Sequence, residues 1–202
     1  MIEYQTQTYD KSFSTFKTKV PLIVQGTRVL RPCEYKQLYN AIPKRPYQTM
    51  LNTTLLTGMR YVELQRFQKR PQWFDGEFIH LPEEAVLKQE RKQKNRVVIL
   101  NPLARTIVGY FLDITQPLPV WQTWKDNLRR WAVKGQLNPT GIGVRTTRKT
   151  WESWCLASYP NDIIKLTLSQ GHTSITALQH YLVVGFNAVD LEEMREFVEG
   201  WK

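Results

Sequence analysis

Tyr181 stands nine residues after His172 in the stretch "SQGHTSITALQHYLVV", residues 169–184, where apolar residues fall at helical spacing. A tyrosine between Leu178 and Leu182 reads first as a core aromatic. Three other groups open a second reading. Arg60 starts a helical segment just after a Thr-Gly break in "LLTGMRYVEL". Lys88, Lys92 and Lys94 crowd the basic run "KQERKQKNR", and Arg145 and Arg148 stand three apart in "RTTRKTWESW".

These residue types suit one chemistry, displacement at a phosphodiester by a tyrosine. A tyrosine hydroxyl that attacks phosphorus keeps the bond energy as a phosphotyrosine, so no nucleotide is consumed. The attack builds charge on the non-bridging oxygens. Guanidinium groups meet that charge with forked donors and stay protonated at any working pH. Each preorganised donor of this kind contributes about 2.7–4 kcal/mol, by analogy with oxyanion holes. The leaving 5′ oxygen needs a proton, which a lysine with a pKa of about 10 supplies. Neutral His172 is a candidate acceptor or orienter of the tyrosine's proton.

The elements that must position these groups are mostly helical. "RPCEYKQLYNAI" and "YQTMLNTTLLTGMRYVELQRF" give a helix, then a second helix, a break and a third opening at Arg60. "PQWFDGEFIHLP" alternates and carries an Asp-Gly turn signal, and "RVVIL" is a short strand, so the basic run joins two strands of a hairpin. "NPLARTIVGYFLD" starts as helices prefer, with an Asn cap and an early proline. Trp121, Trp124, Leu128 and Trp131 recur at steps of three and four before a stop at Gly135; Trp151, Trp154 and Cys155 repeat the device. All five tryptophans read as core. "PNDIIKLTLSQG" is a helix ended by Gly171, with Ser174 as the cap of the next. A tail helix over 190–202 gathers Leu191, Met194, Phe197, Val198 and Trp201 on one face; that face packs on its own body or on a neighbouring protomer. The expected fold is α+β, mainly α: a helical bundle with a small antiparallel hairpin.

The bulk numbers agree. A chain of 202 residues with 42% apolar residues is one domain, with room for a small extra segment. Twenty-eight Lys and Arg against 18 Asp and Glu give a net charge of +10, which draws a polyanion, nucleic acid above all. No apolar run is long enough for a membrane span, and the polar start "MIEYQTQTYDKSFSTFK" is not a signal peptide. Cys33 and Cys155 fit no metal-ligand spacing, so a reduced cytoplasmic protein without metal is expected.

Together, "LLTGMRYVEL", "KQKNRVVIL", "RTTRKTWESW" and "LSQGHTSITALQHYL" resemble the tyrosine recombinases, the family of phage and archaeal-virus integrases. Their order and separations carry the resemblance, which covers about residues 29 to 184; any one alone would be weak. It implies a catalytic domain over 29–202 behind an arm or linker over 1–28. Arg60 and Arg148 would bind the scissile phosphate, His172 would hydrogen-bond it, and Tyr181 would attack to leave a 3′-phosphotyrosine. A hairpin lysine would be the general acid: Lys92, counting back from "RVVIL", with Lys88 and Lys94 left open. The partner would be double-stranded DNA at attachment sites, bound by a tetramer without cofactor.

Two departures matter. Most of the family has histidine where this chain has Arg145, and arginine is no general base. Arg145 would then be a phosphate ligand, as in archaeal virus and plasmid integrases. Only 59 residues precede Arg60, too few for the usual N-terminal clamping domain, so either a catalytic fragment or a short recombinase is expected. Rival readings are a type IB topoisomerase-like nicking-closing enzyme and a non-catalytic DNA-binding protein. His80 and His180 receive no role.

Overall fold

The structure, a computed structural model, describes residues 20–85, 95–172 and 185–201. Two short strands open it, β1 (Leu22–Val24) and β2 (Thr27–Val29), paired antiparallel with Val24 opposite Thr27. The two residues between them, Gln25 and Gly26, both have positive φ (48° and 71°), as a two-residue hairpin turn demands. This hairpin overlaps the end of the expected arm, and it is not a loose one. Arg28 N–H donates to the Gly141 carbonyl at 2.9 Å, and the buried Arg28 guanidinium pairs with Glu34 at 2.7 Å.

Three helices follow: α1 (Pro32–Ala41), α2 (Arg45–Leu56) and α3 (Tyr61–Gln68). α1 and α3 start the same way. The N–H of the preceding arginine, Arg31 or Arg60, donates to the carboxylate of the glutamate three residues on, Glu34 at 2.9 Å or Glu63 at 2.7 Å. The expected second hairpin is present as β3 (Phe78–Leu81) and β4 (Arg96–Ile99), antiparallel with Leu81 opposite Arg96. Asp75 sets its approach by accepting from the N–H groups of Glu77 and Phe78. The lysine-bearing residues 86–94 lie between these strands and outside the described residues, as does Ser174.

α4 (Pro102–Leu112) is capped by Asn101, whose side-chain oxygen accepts from Ala104 N–H at 2.8 Å. α5 (Trp121–Lys134) and α6 (Thr146–Ser158) bring in the tryptophans. Trp124, Trp131, Trp151 and Trp154 are buried, and Tyr61 stacks on Trp124 at 5.9 Å between centroids. Trp121 corrects the sequence expectation: at the first position of α5 it is 50% exposed, with the Lys125 ammonium 5.2 Å from its ring centre.

α7 (Ile163–Gln170) ends at Gly171, which is left-handed at φ 66°. Gly171 N–H reaches the Leu168 carbonyl and His172 N–H the Thr167 carbonyl, the paired bonds of a Schellman turn. The last helix, α8 (Ala188–Val198), starts at Asn187, whose side chain accepts from Asp190 N–H at 2.8 Å. It packs on the body of its own chain. Met194, Val198 and Trp201 are buried, Asn101 donates to the carbonyls of Phe197 and Glu199, and the Trp201 indole donates to the Ile99 carbonyl at 3.1 Å. An Arg31–Asp190 ion pair ties its first turn to α1. Among the described residues the fold is thus mainly α with two small antiparallel sheets, one more than the sequence suggested. Among the described residues no helix is long and apolar enough to cross a membrane.

Candidate active site

Arg60, Arg148 and His172 come from three distant segments and meet at the turn that ends α7. Arg148, on the first turns of α6, is buried; its Nη1 donates to the Gly58 carbonyl at 2.8 Å and its Nη2 to the Gln170 carbonyl at 2.6 Å. Arg60, 33% exposed at its side chain, donates from Nη2 to the Gly171 carbonyl at 3.4 Å. His172 follows directly, with Nε2 2.8 Å from Arg148 Nη2. The α2–α3 break and the α7 turn are therefore stitched together by arginines, through carbonyls that those two turns leave unused by helix.

Two buried carboxylates hold the cations in place. Glu152, one turn along α6, accepts from Arg148 Nε at 3.0 Å and lies 2.8 Å from His172 Nε2. Nε2 donates to Glu152 when it carries its proton and accepts from Arg148 when it does not, so the imidazole has a partner in either tautomer. Glu63 accepts from Arg60 Nη1 through Oε1 at 2.7 Å and from Arg96 Nη2 through Oε2 at 2.5 Å. Burial alone would raise the Glu63 pKa; Arg96, then Arg60 and Arg148, overcome it and hold the carboxyl at about 2. The Arg96 guanidinium is pushed down to about 10, first by burial, with Glu63 pulling it back up and Arg148 and Arg60 pushing it down. Glu63 faces three cations, whereas Arg96 faces one anion and two like charges. Among the described residues, the guanidiniums of Arg60, Arg96 and Arg148 pair with the carboxylates of Glu63 and Glu152.

Of the residues singled out in the sequence, the structure thus joins Arg60, Arg148 and His172. Arg145 is exposed, at the residue preceding α6, and among the described residues no hydrogen bond or ion pair links its side chain to the cluster. Tyr181, Lys88, Lys92 and Lys94 lie outside the described residues. Directly after Lys94 in the chain, Asn95 Oδ1 accepts from Glu83 N–H at 2.8 Å, and the next residue, Arg96, reaches Glu63. Sequence reasoning missed Glu63, Glu152 and Arg96. Signals for the first two existed, a glutamate three residues after a helix-opening arginine and an i,i+4 Arg-Glu pair.

No protein-family model and no curated protein matches the sequence. The fold does have solved counterparts. It is similar to the crystal structure of XerA recombinase, at 19% identity and a TM-score of 0.61, over 83% of this chain and 64% of that one. It is also similar to XerH site-specific recombinase bound to difH substrate. The post-cleavage complex matches at 14% identity and a TM-score of 0.52, over 87% of this chain and 53% of that one. The pre-cleavage complex matches at 15% and 0.51, over 85% and 54%. At these identities the likeness is one of fold: the chain has the fold of a tyrosine recombinase catalytic domain. It spans 64% of the XerA chain and about half of the XerH chain.

Proposed function

We propose that the chain is a site-specific DNA recombinase of the tyrosine class, with residues 29–202 as its catalytic domain. The observation that carries this reading is the convergence of Arg60, Arg148 and His172 on one turn of a fold shared with the Xer recombinases. Arginine is the residue type that supports it, since a guanidinium matches a phosphodiester's oxygens with forked donors.

In this scheme the Tyr181 oxygen forms a bond to phosphorus and the bond to the 5′ oxygen breaks. The tyrosine's proton goes to a base or to water, and the 5′ oxygen takes a proton from Lys92, or from Lys88 or Lys94. Attack by a 5′ hydroxyl then reverses the step and reseals the strand. Arg60 and Arg148 donate to the non-bridging oxygens, and His172 adds a hydrogen bond. Arg145, exposed at the mouth of α6, contributes a phosphate contact and no base chemistry. The substrate is double-stranded DNA at paired attachment sites, exchanged within a tetramer. Integration of an archaeal virus or plasmid, inside the host cytoplasm, is the setting that Arg145 suggests.

Covalent trapping on nicked suicide duplexes tests the reading. Wild type should give a DNA-linked band on a denaturing gel, and Tyr181→Phe should give none. Arg148→Ala should slow the adduct by about 10²–10³-fold. A wild type that binds DNA but never forms the adduct refutes the recombinase reading. Relaxation of supercoils without exchange between paired sites would move it to the topoisomerase class.

A further inference from the structure

Arg96 has no task in the scheme above. It opens β4, directly after the lysine-bearing residues 86–94. Its fork spans two elements. Nη2 donates to Glu63 Oε2 at 2.5 Å, and Nη1 donates to the Ser169 carbonyl at 2.7 Å. Each acceptor leads to one half of the site. Glu63 holds Arg60 through its other oxygen. Ser169 precedes the three residues that meet the arginines: Gln170 and Gly171 with their carbonyls, His172 with its ring. The same strand takes Ser169 a second time, since Ile99 N–H donates to Ser169 Oγ at 3.0 Å.

We infer that Arg96 is a positioning residue for phosphoryl transfer, setting Arg60 through Glu63 and the Arg148–His172 side through Ser169. This rests on the recombinase reading. The side chain is buried, so it acts behind the groups that face a phosphate. Glu63 holds Arg60 with one oxygen and Arg96 with the other, so the carboxylate that presents Arg60 is itself fixed. Lysine would not serve equally, because a single ammonium lacks the rigid fork that meets two acceptors on separate elements at fixed angles.

The chemistry of the substrate separates this role from a merely structural one. A methylphosphonate at the scissile position is neutral, so its attack builds less charge on oxygen and depends less on Arg60 being in place. A poorly folded protein is equally poor on both substrates. With the full chain and nicked suicide duplexes, Arg96→Met should cut the single-turnover trapping rate about 100-fold on the phosphodiester, the scale of a small misplacement. On the methylphosphonate the loss should shrink to less than about tenfold, because only the charge-dependent part of the stabilisation is at stake. In a Tyr181→Phe background, duplex affinity should stay within about threefold, being spread over many phosphate contacts. Arg96→Lys should repeat the contrast between substrates with smaller losses, and serves if Arg96→Met is insoluble. Equal losses on the two substrates overturn the inference and leave the recombinase reading intact. A wild type without adduct on the phosphodiester overturns both.

Discussion

A carboxylate with no exposed surface survives ionised only among cations, and Glu63 is such a case. Its pKa in the folded chain, about 2, lies below its ordinary 4.5, so the charged form favours folding. That contribution is complete above the ordinary value and is lost as pH falls from about 4.5 towards 2. It is on the order of 3 kcal/mol. Glu63→Gln should therefore lower urea stability by about that much at pH 7, and the two proteins should converge as the pH approaches 2. Variants that stay equally far apart at both pH values would show that packing and not charge holds Glu63. The partnership itself was illegible in the sequence. Arg60, Arg148 and His172 stand out by motif and spacing, whereas Glu63 looks like an ordinary cap, Glu152 like a surface i,i+4 pair, and Arg96 like the start of a strand. Only the fold brings an arginine from β4 to a glutamate of α3.

At the scale of elements, the join between α2 and α3 matters most. Gly58 is left-handed there at φ 56°, and an added Cβ would stand 2.5 Å from Trp151 Cδ1 and 2.7 Å from the Gln170 amide. Its carbonyl is also an acceptor of Arg148. Gly58→Ala should thus cost about 2–4 kcal/mol in chemical denaturation, from the left-handed backbone and the overpacking together. It should also slow trapping, because the Arg148 acceptor moves. A near-neutral effect on both would mean that the turn relaxes without disturbing the arginine. The "TG" break was legible because glycine marks a turn, and so were the Asn101 cap and the Gly171 stop. The β1–β2 hairpin was not: its strands are three residues long, too short for alternation to show, and its turn pairs Gly26 with a glutamine that sequence rules do not favour there. The apolar stripe of α5 was legible, but not that its first tryptophan is left half exposed beside Lys125.

For the whole molecule, the apolar face of α8 showed that something must cover it and could not say what. The structure answers with the chain's own body: Phe197 packs on Tyr35 and Trp154, and Trp201 lies against Tyr159. This closure has a consequence in time. Chains are made from the N-terminus, and domains fold as their residues emerge. Until the α8 segment has emerged, Tyr35, Trp154 and Tyr159 lack the part of their covering that Phe197 and Trp201 supply, so a nascent chain carries an open aromatic wall. Released chains truncated after residue 186 should be cut quickly by protease and bind holding chaperones, and chains extending past residue 201 should resist. Equal resistance at both lengths would show that the body closes without its last helix. On this account the body passes from a sticky intermediate to a closed one when its α8 segment docks.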